Sequence, residues 1–142
     1  MSIQVPEIIF ENEHVVAIDK PHGWLTTPSR FEKDDTRKVV GRWLQQLKGQ
    51  DVFPVHRLDF EVSGIVLFAL KSESHRILGK LFEERKVKKL YQAVCENHSP
   101  PPALNEALLW KSRLLRGKRR AYEHKTGKPS ETKVTCIQVL DH

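Results

Sequence analysis

Cysteine, methionine and long apolar runs are scarce in this sequence: 142 residues hold two cysteines, Cys95 and Cys136, and one methionine. The two cysteines form no C-x-x-C pair, and each lies in an alternating apolar run. They are expected to be reduced thiols packed in a core rather than a disulfide or a ligand pair. Seven histidines occur without H-x-x-x-H or H-x-x-E-H spacing, so the sequence offers no basis for a metal site. The longest unbroken apolar run, Ile65 to Leu70, is strand-sized. It falls far short of the roughly 18 to 20 residues that cross a bilayer. Met1 to Glu7 lacks the basic-then-apolar pattern of a secretion signal. A cytoplasmic protein with no membrane association is the resulting expectation.

What is present suits a soluble globular chain of one domain: 39% hydrophobic and 30% charged residues, with 7 Gly and 8 Pro. Lys and Arg number 24 against 18 Asp and Glu, a formal charge of +6, which points to a polyanionic partner and first to nucleic acid.

Ile8 to Phe10 and Val15 to Asp19 read as two strands joined by the polar Glu11-Asn12-Glu13-His14, and Lys20-Pro21-His22-Gly23 stops the second. From Thr36, the spacing of Val39, Val40, Trp43, Leu44 and Leu47 predicts an amphipathic helix ended by Gly49. Gly64 to Leu70 reads as a central strand covered on both faces. Ser72 is the expected cap of a second helix with Ile77, Leu78, Leu81 and Phe82 as its buried stripe. Leu90 to Cys95 and Lys133 to Leu140 read as strands, Ser99 to Pro102 as a stiff connector, and Ala107 to Leu115 as strand in preference to a helical turn. Arg113 to Lys133 carries eight basic residues against Glu123 and Glu131 and reads as a basic loop.

The most informative stretch is Val55-His56-Arg57-Leu58-Asp59-Phe60-Glu61-Val62-Ser63-Gly64, just ahead of the apolar strand. In an extended segment residues i and i+2 share a face, so Arg57 and Asp59 can be presented together. On the residues alone, two readings stand: a surface ion pair, or a carboxylate kept ionised by a guanidinium and available as a nucleophile.

Four ordered blocks resolve that choice by resemblance: Asp19-Lys20-Pro21-His22-Gly23-Trp24-Leu25 with Pro28; His56-Arg57-Leu58-Asp59 with Ser63-Gly64; Lys88-Lys89-Leu90-Tyr91-Gln92-Ala93; and Gly127-Lys128-Pro129 with Thr132. Together they resemble the RluA-type pseudouridine synthases, which isomerise selected uridines in structured RNA. The H-R-L-D block is the specific one; the others gain weight from their order.

The resemblance implies an α+β fold with a mixed, mainly antiparallel sheet flanked by helices, and a reaction needing neither cofactor nor metal. It implies that Asp59 is the essential carboxylate in breaking the glycosidic bond, after which uracil turns and rejoins through carbon. Tyr91 is the aromatic against the target base, its alternative being a core ring. Arg57 is the residue that fills the space of an extruded base or holds phosphate. His56 is expected to brace the loop rather than to transfer a proton. Lys20, with Pro21 and Gly23, forms a supporting turn, with Lys20 either a phosphate contact or a solvated lysine. Arg116, Lys118, Arg119, Arg120 and Lys128 are the expected contacts to the backbone of ribosomal or transfer RNA. Trp43 is expected in the core, while Trp24 is open between core and stacking platform.

The sequence departs from the family in two places. Val62 stands where the family has Thr before Ser-Gly, and the family's G-R-x-H-Q-[IL]-R-x-H block does not occur within these residues. The chain therefore reads as the N-terminal two-thirds of a catalytic domain, residues 1–142, with no separate N-terminal RNA-binding module. An unfinished sheet edge near Val134 to Leu140 invites self-association. The enzyme reading ranks first, a shortened noncatalytic RNA binder second, and a small protein-interaction domain third.

Overall fold

A computed structural model describes residues 4–29, 35–95, 102–117 and 120–140. The chain divides into two compact units, residues 1–90 and 91–142, each with its own sheet.

In the first unit β1 (Glu7–Glu11), β2 (Val15–Lys20), β3 (Phe53–Pro54) and β4 (Gly64–Ala69) form a four-stranded sheet in the order β1-β2-β4-β3. All its strand pairs are antiparallel. The β1–β2 hairpin closes as the sequence predicts, because the Asn12 side-chain oxygen accepts the His14 and Val15 amides at 2.9 Å each. In the β2–β4 register Val16 faces Phe68, Ile18 faces Val66 and Lys20 faces Gly64. Val16, Ile18, Val66 and Phe68 are fully buried, and Trp24, Val40, Leu44 and Val52 complete the core around them.

Helix α1 (Val40–Lys48) supplies Val40 and Leu44 to that core, with Trp43 partly buried against it. Gly49 ends it with φ of 64°, a left-handed conformation that glycine adopts without a Cβ penalty, and its amide donates to the Gln45 carbonyl. Lys48 reaches both carboxylate oxygens of Glu11 at 2.6 Å, tying the helix to β1. Leu47, expected on the apolar stripe, is exposed.

Helix α2 (Ser72–Glu83) lies against β3 and β4. Two expectations fail there. Its N-cap is Lys71 rather than Ser72, with no side-chain cap bond. Its apolar stripe is only half covered: Ile77 and Leu81 are exposed, while Leu78 and Phe82 are intermediate. Strand β4 is central as predicted, but its two faces are covered unequally: Val66 and Phe68 are buried on one, whereas on the other Ala69 is buried, Leu67 intermediate and Ile65 58% exposed. An unbroken apolar run does not distinguish a strand covered fully on both faces from one with a partly uncovered side.

In the second unit β5 (Ala107–Arg116) lies between β6 (Ala121–Glu123) and β7 (Lys128–Thr135), and both pairings are antiparallel. The expected strand at Ala107 to Leu115 is present. The segment expected as a basic loop is instead largely strand, pairing through β5, β6 and β7 with its charged side chains exposed to water. The last strand lies earlier than predicted, ending at Thr135 rather than Leu140. Leu90 to Cys95 has no regular structure, and its apolar side chains Leu90 and Val94 are 93% and 86% exposed. Cys95 is accordingly exposed and Cys136 half-buried; both are free thiols, not core residues. Most of the Ser99 to Pro102 connector lies outside the described residues.

The fold is α+β and mainly antiparallel, as the resemblance implies, and the strands form two antiparallel sheets among the described residues. The parallel pairing found is the isolated bridge Leu25–Val39. No helix among these residues is long and apolar enough to cross a membrane.

Gly127 has a specific reason to be glycine. A Cβ there would meet the β5 backbone at 2.6 Å from the Leu114 carbonyl carbon and 2.7 Å from that of Arg113. Gly127→Ala should therefore destabilise the second unit by about 1–3 kcal/mol, as overpacking does. Amide exchange should quicken along the β5–β7 ladder and stay unchanged along β2–β4; equal protection of both ladders in the variant would refute the steric account.

Candidate active site

Asp59 lies in the connection from β3 to β4, at the end of the sheet where β2 finishes and β4 begins. Exposure alternates along it: Arg57, Asp59 and Glu61 are exposed, while Leu58 and Phe60 are intermediate. This is the period of an extended segment, and it presents Arg57 and Asp59 together as the i, i+2 argument predicts. The two do not form the ion pair weighed from sequence. Among the described residues no hydrogen bond or ion pair engages the Asp59 carboxylate, which leaves its oxygens accessible.

The loop is held by its backbone. The Asp59 carbonyl accepts the Val62 amide at 3.1 Å, closing a turn, and the Phe60 carbonyl accepts the Gly23 amide at 3.0 Å. Thr26, 2% exposed, donates its hydroxyl to the Leu58 carbonyl at 3.0 Å and accepts the Leu58 amide at 3.1 Å. The segment that follows β2 thus grips the peptide groups on both sides of Asp59.

Lys20 is part of that grip and corrects the expectation for it. Its side chain is fully buried, and its ammonium donates to the carbonyls of Trp24 at 2.7 Å, Pro21 at 3.1 Å and Phe60 at 3.5 Å. These three acceptors use the three N–H donors, so Lys20 is neither solvated nor placed to meet a phosphate. Burial pushes its pKa below the ordinary lysine value, and the nearby carboxylates of Glu61 and Asp59 pull the other way.

His56 braces the loop, as expected of it. Its Nε2 accepts the Leu67 amide at 3.3 Å, and its ring stacks on Phe82 with centroids 4.8 Å apart. Burial lowers its pKa; a hydrogen bond with the Arg57 backbone raises it, and the Lys89 charge lowers it further. Accepting an amide at Nε2 requires that nitrogen to carry no proton, so geometry and desolvation both favour the neutral ring.

Several contributors have no local sequence signal. Thr26 sits in the unremarkable run Trp24-Leu25-Thr26-Thr27, and only its long-range bond to Leu58 marks it. Trp24 proves to be core, 8% exposed, with the Lys38 ammonium 5.3 Å from its ring centroid. Arg37 lies over the Phe60 ring at 5.2 Å and bonds Asp35 through Nε and Nη2. Both basic residues precede α1, which starts at Val40 rather than at Thr36, where the predicted helix begins.

In the second unit, Tyr91 is 62% exposed in an irregular segment, so the core-ring alternative does not apply. Arg116, Arg120 and Lys128 are exposed. Lys118 and Arg119 lie outside the described residues. Among these residues no cluster of three or more His, Cys, Asp or Glu side chains is arranged to hold a metal ion.

Comparisons with known proteins bear on the family and the fold. Residues 14–142 match the sequence model of a family described as RNA pseudouridylate synthase. A Yersinia pestis protein named tRNA pseudouridine synthase C is 41% identical over 92 residues, 65% of this chain and 35% of that protein. The Salmonella typhimurium protein of the same name is 33% identical over 135 residues, 95% of this chain and 52% of its own length. Against these relatives the chain spans about a third to a half of their length. The solved structure named Human RNA Pseudouridylate Synthase Domain Containing 1 superposes with a TM-score of 0.65 at 16% identity, covering 94% of this chain and 52% of that one. A second, Human RNA Pseudouridylate Synthase Domain Containing 4, gives 0.57 at 17%, covering 89% and 51%. At such identities the two structures speak for the fold alone.

The neutral His56 sets a pH dependence. Its folded pKa lies below the ordinary 6.5, so on acidification the unfolded chain takes up a proton that the folded loop resists. Stability should fall as pH drops from about 6.5 through the folded pKa, and level off below it. In His56→Gln, which keeps an acceptor for Leu67, that step should be absent from urea-unfolding curves followed by tryptophan fluorescence; identical pH profiles for the two proteins would rule the assignment out.

Proposed function

Because the chain belongs to the RNA pseudouridylate synthase family, we propose that it isomerises uridine to pseudouridine in structured RNA with Asp59 as the essential carboxylate. The carrying observation is an exposed, unengaged carboxylate on a loop whose neighbouring peptide groups are fixed from a buried segment. In the reaction the N1–C1′ bond breaks, uracil turns, and a C5–C1′ bond forms. N1 takes up a proton and C5 gives one up, so no atoms or electrons are gained or lost. A carboxylate serves either as nucleophile at the sugar or as a stabiliser of oxocarbenium-like charge there.

Arg57, exposed two residues from Asp59, is suited to stack in the space of an extruded base or to bind its phosphate. Tyr91 is the aromatic proposed to lie against the target base and assist loss of the C5 proton. Lys20 supports the loop from within. Arg116, Arg120 and Lys128, with Lys118 and Arg119, are proposed to neutralise RNA phosphates. Transfer RNA is the favoured substrate, given the name borne by the bacterial relatives, with ribosomal RNA next; the reaction belongs in the cytoplasm. Neither metal nor cofactor is called for by an isomerisation of this kind. The partial coverage of the relatives keeps a noncatalytic RNA binder as the second reading, and the edge of β7 is proposed as a site of self-association.

Tritium release from transfer RNA labelled at uridine C5 should proceed with the native chain and drop to background with Asp59→Ala, while RNA affinity is retained. The combined Arg116→Ala, Arg120→Ala and Lys128→Ala variant should flatten the log–log salt dependence of binding by about 2 to 3, near 0.7–0.9 for each lost phosphate contact. Salt-sensitive binding without release in the native chain would favour the noncatalytic reading; no binding at low salt would dismiss both.

A further inference from the structure

We propose that Thr26 is a positioning residue for Asp59, acting through the Leu58 backbone, an inference that rests on Asp59 being the essential carboxylate. One hydroxyl satisfies both polar backbone groups of the residue before Asp59, donating to the Leu58 carbonyl at 3.0 Å and accepting its amide at 3.1 Å. Bonds to both groups of one residue resist sliding and rotation together, and the Leu58 carbonyl belongs to the peptide plane that leads into Asp59. On the other side of Asp59, the Phe60 carbonyl is held by the Gly23 amide at 3.0 Å. The carboxylate is thereby suspended between two fixed points, both supplied by residues 23 to 26.

Thr26 can serve as a fixed point because it is itself immobilised. Its carbonyl accepts the Gly41 amide at 3.2 Å, and its neighbour Leu25 exchanges bonds with Lys38 and Val40 at 2.9 and 2.8 Å. There is little slack: a Cβ on Gly41 would stand 3.3 Å from the Thr26 carbonyl oxygen and 3.4 Å from the Phe68 ring. A mechanical path thus runs from the start of α1 through Thr26 to Leu58 and Asp59. Thr26 touches no reacting atom in this account; it sets where the Asp59 oxygens stand relative to a nucleotide sugar.

Thr26→Val keeps the side chain's shape and removes only the hydroxyl, and Thr26→Ser keeps the hydroxyl and removes the methyl. In the tritium-release assay Thr26→Val should lower kcat about 10- to 100-fold with KM within about twofold of the native value, the cost of a displacement of order 1 Å. Thr26→Ser should restore most of that loss. Amide exchange should quicken at Leu58 and Asp59 in Thr26→Val and remain unchanged at Val66 and Phe68, which separates positioning from general unfolding. Native kcat in Thr26→Val, alongside loss in Asp59→Ala, overturns the proposal, as does a defect that Thr26→Ser fails to relieve. Should the native chain release no tritium, the catalytic reading fails by itself. Backbone ¹⁵N relaxation at Asp59 then decides the positioning: added motion in Thr26→Val upholds it, and an unaltered profile refutes it.

Discussion

A buried ammonium at the end of β2 governs the architecture of the site. Lys20 has no exposed surface, and an unpaired charge in that position would be costly, so its three donors must find acceptors. They find them in the carbonyls of Pro21, Trp24 and Phe60, two from the segment after β2 and one from the Asp59 loop. The need to satisfy one charge therefore draws two distant stretches of chain together. Thr26 and Gly23 extend the junction with bonds to Leu58 and Phe60, and the carboxylate between those residues is left facing outward.

The division of labour within the loop follows from backbone geometry. Anchoring uses the carbonyl and amide of Leu58 and the carbonyl of Phe60, while the exposed side chains at 57, 59 and 61 take no part in it. A loop fixed through its own acidic or basic side chains would spend the groups that chemistry requires. Fixing it through peptide groups leaves those side chains available, and the alternation of an extended segment sorts them to the outer face. His56 reinforces the same plan from the start of the loop, accepting the Leu67 amide of β4 with a neutral ring stacked on Phe82.

The sequence made part of this arrangement legible. The hairpin of β1 and β2, the helix closed by Gly49 and the strand at β5 follow from local chemistry, namely Asn12 turn bonds, apolar spacing and alternation. The shared face of Arg57 and Asp59 was likewise readable, because it depends on a period of two residues. Tertiary context decided the rest. A lysine in a K-P-x-G run carries no mark that distinguishes a solvated ammonium from one sealed under a loop, and Thr26 becomes significant only through a partner far along the chain. Leu90 to Cys95 alternates like a strand yet finds no neighbour to pair with among the described residues, which is why its apolar side chains lie exposed. The charged stretch after Arg113 erred in the opposite direction: polarity suggested a loop, although strands tolerate charge wherever their faces meet water.

Val62 shows how such a scaffold bears a departure from its family's pattern. The family's threonine at this position would bring a hydroxyl beside the Ser-Gly pair, whereas Val62 is 36% exposed and contributes its amide to the Asp59 carbonyl at 3.1 Å. That turn-closing bond belongs to the backbone and is indifferent to the side chain. The hydroxyl that does hold the Asp59 loop comes instead from Thr26, on a different segment and inside the structure. Support from a buried residue is shielded from competing water, so each of its hydrogen bonds constrains the loop more firmly than an exposed hydroxyl at position 62 would.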